Sequence, residues 1–246
     1  YVNAMTVTED SIITEMIDDG ELEHVPLMNP VDGKTEEIED WLNSFEDEMK
    51  NTLKQLIKDA LGTSLKKKRD QWISDYPAQV IIISNQILWT QQVTNVLRSQ
   101  KLRSMKIAHK KFIEQLEQLT EMIHQKLTPA IRQLISCLLI NEVHNRDILS
   151  NLINLAVTDI DSFNWIKQLR YYWEDETVIV RSIYNTYEYS YEYAGNSSRL
   201  VITPLTDRCY QTLLSAFKQF LSGAPSGPAG TGKTETVRDC AKALGR

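Results

Sequence analysis

No stretch of this 246-residue chain limits its possible folds more than Gly227-Pro228-Ala229-Gly230-Thr231-Gly232-Lys233-Thr234. Two glycines with four residues between them, followed by Lys and a hydroxyl residue, form the phosphate-binding loop pattern. Gly227, Gly230 and Gly232 let the backbone curl tightly and bring its N–H groups to phosphate oxygens with no Cβ in the way. Lys233 is placed to reach β- and γ-phosphates as a point charge, and Thr234 to give its hydroxyl to Mg²⁺. Glu235 to Leu244 contains no Gly or Pro and reads as a helix, whose positive end faces the phosphates. The pattern predicts a bound nucleoside triphosphate, with Pro228, Ala229, Thr231 and Glu235 completing the contact set.

Composition bears on what else the chain can bind. A formal net charge of −6 argues against a nucleic-acid partner, which would call for a basic field. The basic run Lys66-Lys67-Lys68-Arg69 reads as a solvated helix end or loop. Cys137, Cys209 and Cys240 are far apart and all fall in expected helices, so they read as reduced thiols with neither a disulfide framework nor a zinc pattern. The four histidines are equally scattered. Asn196-Ser197-Ser198 matches a glycosylation acceptor, expected to be idle because no signal peptide accompanies it. No apolar run approaches the roughly 20 residues that span a bilayer, so no membrane partner is expected.

Residues 1–35 are weakly patterned, with Pro26, Pro30 and an Asp32-Gly33 turn signal, and read as irregular with at most one short strand or helix. From Glu36, apolar residues recur at three- and four-residue spacing through Ile38, Trp41, Leu42, Phe45, Met49, Leu53, Ile57 and Leu61, a helix that Gly62 would end. A second helix, capped by Ser74 or Asp75 with Pro77 in its first turn, runs through Val80 to Leu97, although its Val80–Ile83 run is strand-like on propensity. Leu102–Leu127 follows, then a helix capped by Thr128 with Pro129 in its first turn, continuing or restarting near Asp147. A short helix over Phe163–Trp173 completes a stack of helices across residues 36–173. The period then changes to two, over Val178–Ile183 and again over Tyr187, Tyr189, Tyr191 and Tyr193, and Gly195-Asn196 ends the strand. The four tyrosines read as a packed strand face in preference to a base-stacking platform. After the short apolar segment Leu200–Pro204, Thr206 caps a helix running to Leu221, with little room for a strand before Gly227.

The run Tyr191-Glu192-Tyr193-Ala194-Gly195-Asn196, then Arg199–Tyr210, and finally Gly223-Ala224-Pro225 with Gly227 to Thr236, resembles dynein heavy chains. Asn85–Thr90 and Trp165–Trp173 are similar to linker segments of the axonemal members. Ser222 and Ala194 stand where the family often has Gly and Leu. The resemblance implies a mainly α fold: an N-terminal segment 1–35, a helical-bundle linker over 36–195 ending in a β segment, and over 196–246 the opening of an α/β P-loop (AAA+) module. It implies ATP/ADP and Mg²⁺ as cofactors and Lys233 as the residue acting on the phosphates. Leu200, Val201, Ile202, Thr203, Pro204 and Leu205 would form the loop that packs on the adenine. It further implies movement along microtubules in a cilium or flagellum, with intermediate and light chains as partners. The chain begins at Tyr1 and ends one helix after the phosphate loop, so it is expected to be a piece of a longer polypeptide, inactive as an ATPase by itself. Nucleotide state at the loop would couple to the helical linker through residues 178–199, with Gly195 and Asn196 as the joint. The competing reading is a regulatory P-loop switch or scaffold carrying a helical partner-binding domain.

Overall fold

The computed structural model describes residues 4–18, 20, 23–34 and 37–246. Among these, helices dominate, accompanied by two three-stranded antiparallel sheets. The mainly α expectation holds.

The N-terminal segment departs from its irregular reading. Strands β1 (Ala4–Val7), β2 (Ile12–Ile17) and β3 (His24–Asp32) pair in sequence order as a meander. Pro26 and Pro30 hide the alternation of β3 in the sequence, yet they are tolerated because β3 is an edge strand. Val25, Leu27 and Val31 turn inward. The open edge is met by α1 (Ile38–Thr63): Met28 N–H donates to Thr52 Oγ1 at 3.1 Å and Asn29 N–H to Glu48 Oε1 at 2.8 Å. Helix α1 runs one residue past Gly62, which was expected to stop it. A Cβ at Gly62 would meet nothing, and Thr63 Oγ1 holds the last turn by bonding the Asp59 and Ala60 carbonyls. Glu36, where the helical pattern was expected to start, lies outside the described residues.

A short helix not expected from the sequence, α2 (Arg69–Ser74), buries Trp72 and Ile73. It splits the basic run. Lys66 to Lys68 are exposed, whereas Arg69 pairs with Glu142. Helix α3 (Ala78–Arg98) is the central post; Pro77 precedes it as the cap, in place of Ser74 or Asp75, which instead end α2. Its strand-like run Val80–Ile83 is helical because all four side chains are buried, and a helix apolar on every side belongs in the middle of a core. Helix α4 (Leu102–Ile123) stops four residues before Leu127, and α5 (Pro129–Asn154) continues through Asp147 without a break. Thr128 caps α5 as expected, accepting from the Ile131 N–H. At the far end of α3, α4 and α5, Trp89, Val93, Met105, Phe112, Leu149 and Trp165 form a second core cluster.

The helix expected over 163–173 is only α6 (Phe163–Ile166); Trp173 instead lies in β4 (Arg170–Glu174). With β5 (Thr177–Ser182) and β6 (Asn185–Glu188), β4 forms the second sheet. Every second residue of β5 is buried, which matches the period of two. The sheet sits on α3, where Tyr171 N–H donates to Thr90 Oγ1 at 3.2 Å. Two last helices follow, α7 (Pro204–Lys218) and α8 (Lys233–Ala243), with no strand assigned between them.

Candidate nucleotide-binding site

Gly230 and Gly232 hold φ of 76° and 75°, in the left-handed region where a side chain is strained. These two residues turn the chain sharply into α8, whose N-cap is Gly232 and whose first residues are Lys233 and Thr234. The loop is exposed, so its backbone and the first turn of α8 face outward. Lys233 folds back over it. Its Nζ donates to Gly227 O at 3.0 Å, to Pro228 O, and to Thr231 Oγ1 at 3.3 Å. Thr231 Oγ1 in turn donates to Pro228 O at 3.0 Å, which stiffens the turn. Thr236 Oγ1 bonds Gly232 O at 2.8 Å, and Glu235 pairs with Arg238. Thr234 is exposed in the first turn. No cluster of three or more His, Cys, Asp or Glu among the described residues could hold a metal ion.

Leu200–Leu205 runs into α7 without pairing as a strand. Val201 and Leu205 are 66% and 78% exposed, so the segment presents apolar side chains to solvent. The cap of α7 is Thr203, not Thr206 as the sequence suggested. Thr206 occupies the third helical position, and the two threonines bond each other's backbone reciprocally, with Pro204 at the first position. Phe220 and Leu221 fall beyond the end of α7 and are exposed.

A buried carboxylate that sequence reasoning missed brings the segment and α8 together. Asp239 is 3% exposed. Its Oδ1 lies 3.1 Å from Arg199 Nε and 3.5 Å from the Leu200 N–H, and its Oδ2 accepts from the Tyr210 hydroxyl. Burial works against the Arg199 charge, but Asp239, with Tyr171 and Tyr210, outweighs it and holds the guanidinium above its ordinary value. One signal was available. Thr236, Asp239, Cys240 and Ala243 recur at helical spacing, which puts a charge on the inner face of α8.

The tyrosine strand docks on the far end of the same helix. Ser190 and Glu192 N–H groups donate to Leu244 O and Gly245 O, both at 2.9 Å, and Tyr171 OH donates to Ala243 O at 3.0 Å. A Cβ on Gly245 would stand 2.6 Å from the Tyr189 ring, so the approach needs glycine. Tyr187, Tyr189, Tyr191 and Tyr193 are all buried, as a packed face requires, and β6 itself ends at Glu188. Tyr189 is pushed up to about 12 by burial. Residues 192–197 are fastened to the helical body: Gln79 bonds Glu192 O and the Ala194 N–H, Asn196 Nδ2 donates to Ala130 O, and Gln133 donates to Asn196 O. Gly195 and Asn196, the expected joint, are both buried. The glycosylation match fails on the same ground, since the Asn196 amide is engaged and 4% exposed. The three cysteines are free thiols in α5, α7 and α8, and burial pushes Cys240 up to about 12. A broad groove lies away from the phosphate loop, between α1, the second sheet and the ends of α7 and α8. No helix among the described residues is long and apolar enough to cross a membrane.

Residues 189–246 match a family model described as the hydrolytic ATP binding site of dynein motor region. Over 233 residues the chain is 44% identical to dynein axonemal heavy chain 2 of Mus musculus, covering 92% of this chain and 5% of that protein. Dynein axonemal heavy chain 1 of Homo sapiens is 43% identical over 207 residues, 84% of this chain and 5% of the relative. Dynein axonemal heavy chain 12 of Homo sapiens is 42% identical over 207 residues, 84% of this chain and 7% of the relative. The chain thus spans between 5% and 7% of the length of these relatives.

Proposed function

We propose that this chain, which belongs to the dynein heavy-chain family, is part of a motor ATPase. In this reading the phosphate loop and α8 open the first AAA+ module of a microtubule motor, and residues 36–195 are the linker that moves with it. The setting is the axoneme of a cilium or flagellum, with intermediate and light chains as partners.

The observation that carries the proposal is the exposed loop, with Lys233 and the first turn of α8 converging on one spot. Backbone N–H groups of Gly227–Thr234 and the helix end fit a polyphosphate, for which the aligned peptide dipoles supply positive potential. Lys233 exchanges the carbonyls of Gly227 and Pro228 for β- and γ-oxygens and stabilises charge that grows there as the γ-phosphoryl leaves. Thr234 would give its hydroxyl to Mg²⁺, an ion that neutralises phosphate charge when bound. Leu200, Val201, Ile202, Thr203, Pro204 and Leu205 offer an apolar surface for the adenine. The backbone bonds from Ser190 and Glu192 to the tail of α8 give the loop a physical route to the linker. Coupling through residues 178–199 follows from that route.

The test is microtubule-stimulated ATP turnover by the full-length protein, intact and as Lys233→Ala. Turnover is expected to fall by about 10² or more, in line with removal of a donor aimed at developing charge, and gliding to stop with it. Turnover that survives the change makes this loop regulatory and assigns the driving site elsewhere. An intact protein that ignores microtubules favours the nucleotide-dependent switch.

A further inference from the structure

The base-side segment and the phosphate loop are separate pieces of chain, and something must fix the distance between them. Asp239 stands six residues after Lys233 on the same helix, about 9 Å along its axis at the helical rise. Its carboxylate touches residues on both sides of the base-side segment. Arg199 precedes that segment, Leu200 begins it, and Tyr210 lies in α7, into which the segment runs. One buried side chain therefore gathers the start of Leu200–Leu205 and the helix that anchors its end. The Arg199 and Asp239 side chains are 10% and 4% exposed. Taking an ion pair that far from water costs about as much as the pairing returns, so a well-packed apolar pair would serve bare stability equally well. The pair does tie α8 to the residue just ahead of the segment at one point.

We propose that Asp239 is a positioning residue: with Arg199 and Tyr210 it sets the placement of the base-side segment relative to the phosphate loop, and so makes nucleotide affinity depend on the base. This rests on the reading of Leu200–Leu205 as the adenine surface. Phosphate recognition by Gly227–Thr234 lies outside its reach, because none of the three residues bonds the loop. The two contributions to affinity are thus separable. Asp239→Asn keeps the shape and an acceptor oxygen but removes the charge that Arg199 faces. Tyr210→Phe leaves the ion pair intact and deletes one hydrogen bond, a milder change that retains the packing.

The experiment uses the full-length protein and photolabelling with 8-azido-ATP. Occupancy is read from the tryptic peptide Leu200–Arg208, which confines the signal to this site. Tripolyphosphate, which has no base, serves as competitor. In Asp239→Asn the half-saturation for labelling is expected to rise about tenfold or more, because Arg199 is left buried without its counter-charge. The tripolyphosphate competition constant is expected to stay at the wild-type value. Tyr210→Phe should show the same split with a smaller rise. Labelling that keeps its wild-type half-saturation in both variants overturns the inference. So does a parallel loss of affinity for tripolyphosphate, which would mean that the loop itself has been damaged. An intact protein whose label never lands on Leu200–Arg208 overturns the adenine-surface reading instead.

Discussion

The Glu23 carboxylate accepts from the Ala78 N–H at 2.7 Å and from the Tyr193 hydroxyl at 2.9 Å, joining the first sheet, the start of α3 and the tyrosine strand. Burial raises it above its ordinary value of 4.5, and the neighbouring Asp18 adds to the rise, while the two hydrogen bonds offset part of it. The folded chain therefore holds this proton more tightly than the unfolded chain does. Glu23's contribution to stability is fully present below the ordinary carboxyl value and is lost as the pH rises through the folded value. Glu23→Gln, which cannot titrate, should lose that component. The gap in thermal midpoint between wild type and variant should shift against the wild type from mildly acid to neutral pH. A gap that stays constant across this range would rule out the assignment.

At the scale of elements, the start of α7 is a purely local device. Thr203 Oγ1 accepts from the Thr206 N–H at 3.3 Å, and Thr206 Oγ1 accepts from the Thr203 N–H at 2.7 Å. Thr203→Ala is expected to cost about 1 kcal/mol and to fray the first turn. Hydrogen exchange that accelerates over residues 205–208 while α8 keeps its rate would report it; unaltered exchange there would show the cap to be idle. What the sequence disclosed follows the same division between local and distant causes. The glycine turns, Lys233 and the Thr128-Pro129 start of α5 depend on neighbours in the chain, so spacing alone finds them. Val80–Ile83 takes its conformation from burial on every side, and propensity points the wrong way. The first sheet is held by pairing across strands and by α1, with prolines at its edge masking the alternation. Trp173 sits at a spacing that a helix and a strand both allow, and only pairing with Val178 decides between them. The spacing of α8 puts Asp239 on its inner face, but its partners Arg199 and Tyr210 are far off in sequence and only the fold brings them to it.

At the scale of the whole molecule, residues 190–197 are where the helical body, the first sheet and the phosphate-loop helix meet. Gly195 holds φ of 63°, and a Cβ there would stand 2.6 Å from Asp18 Cβ. Proline, locked near −65°, cannot adopt that backbone. Gly195→Pro in the full-length protein is expected to leave ATP turnover in place and to uncouple it from movement; an unchanged gliding velocity would sink the coupling proposal. The docking of the tyrosine strand on the tail of α8 also has a mechanical side. The bonds from Ser190 and Glu192 to Leu244 and Gly245 lie side by side. Tension drawn along the strand loads them together, as rivets in a lap joint share a shear. A pull that lifts the chain away at Arg246 meets them singly, as peeling does. The joint is stiff to one direction of force and compliant to another.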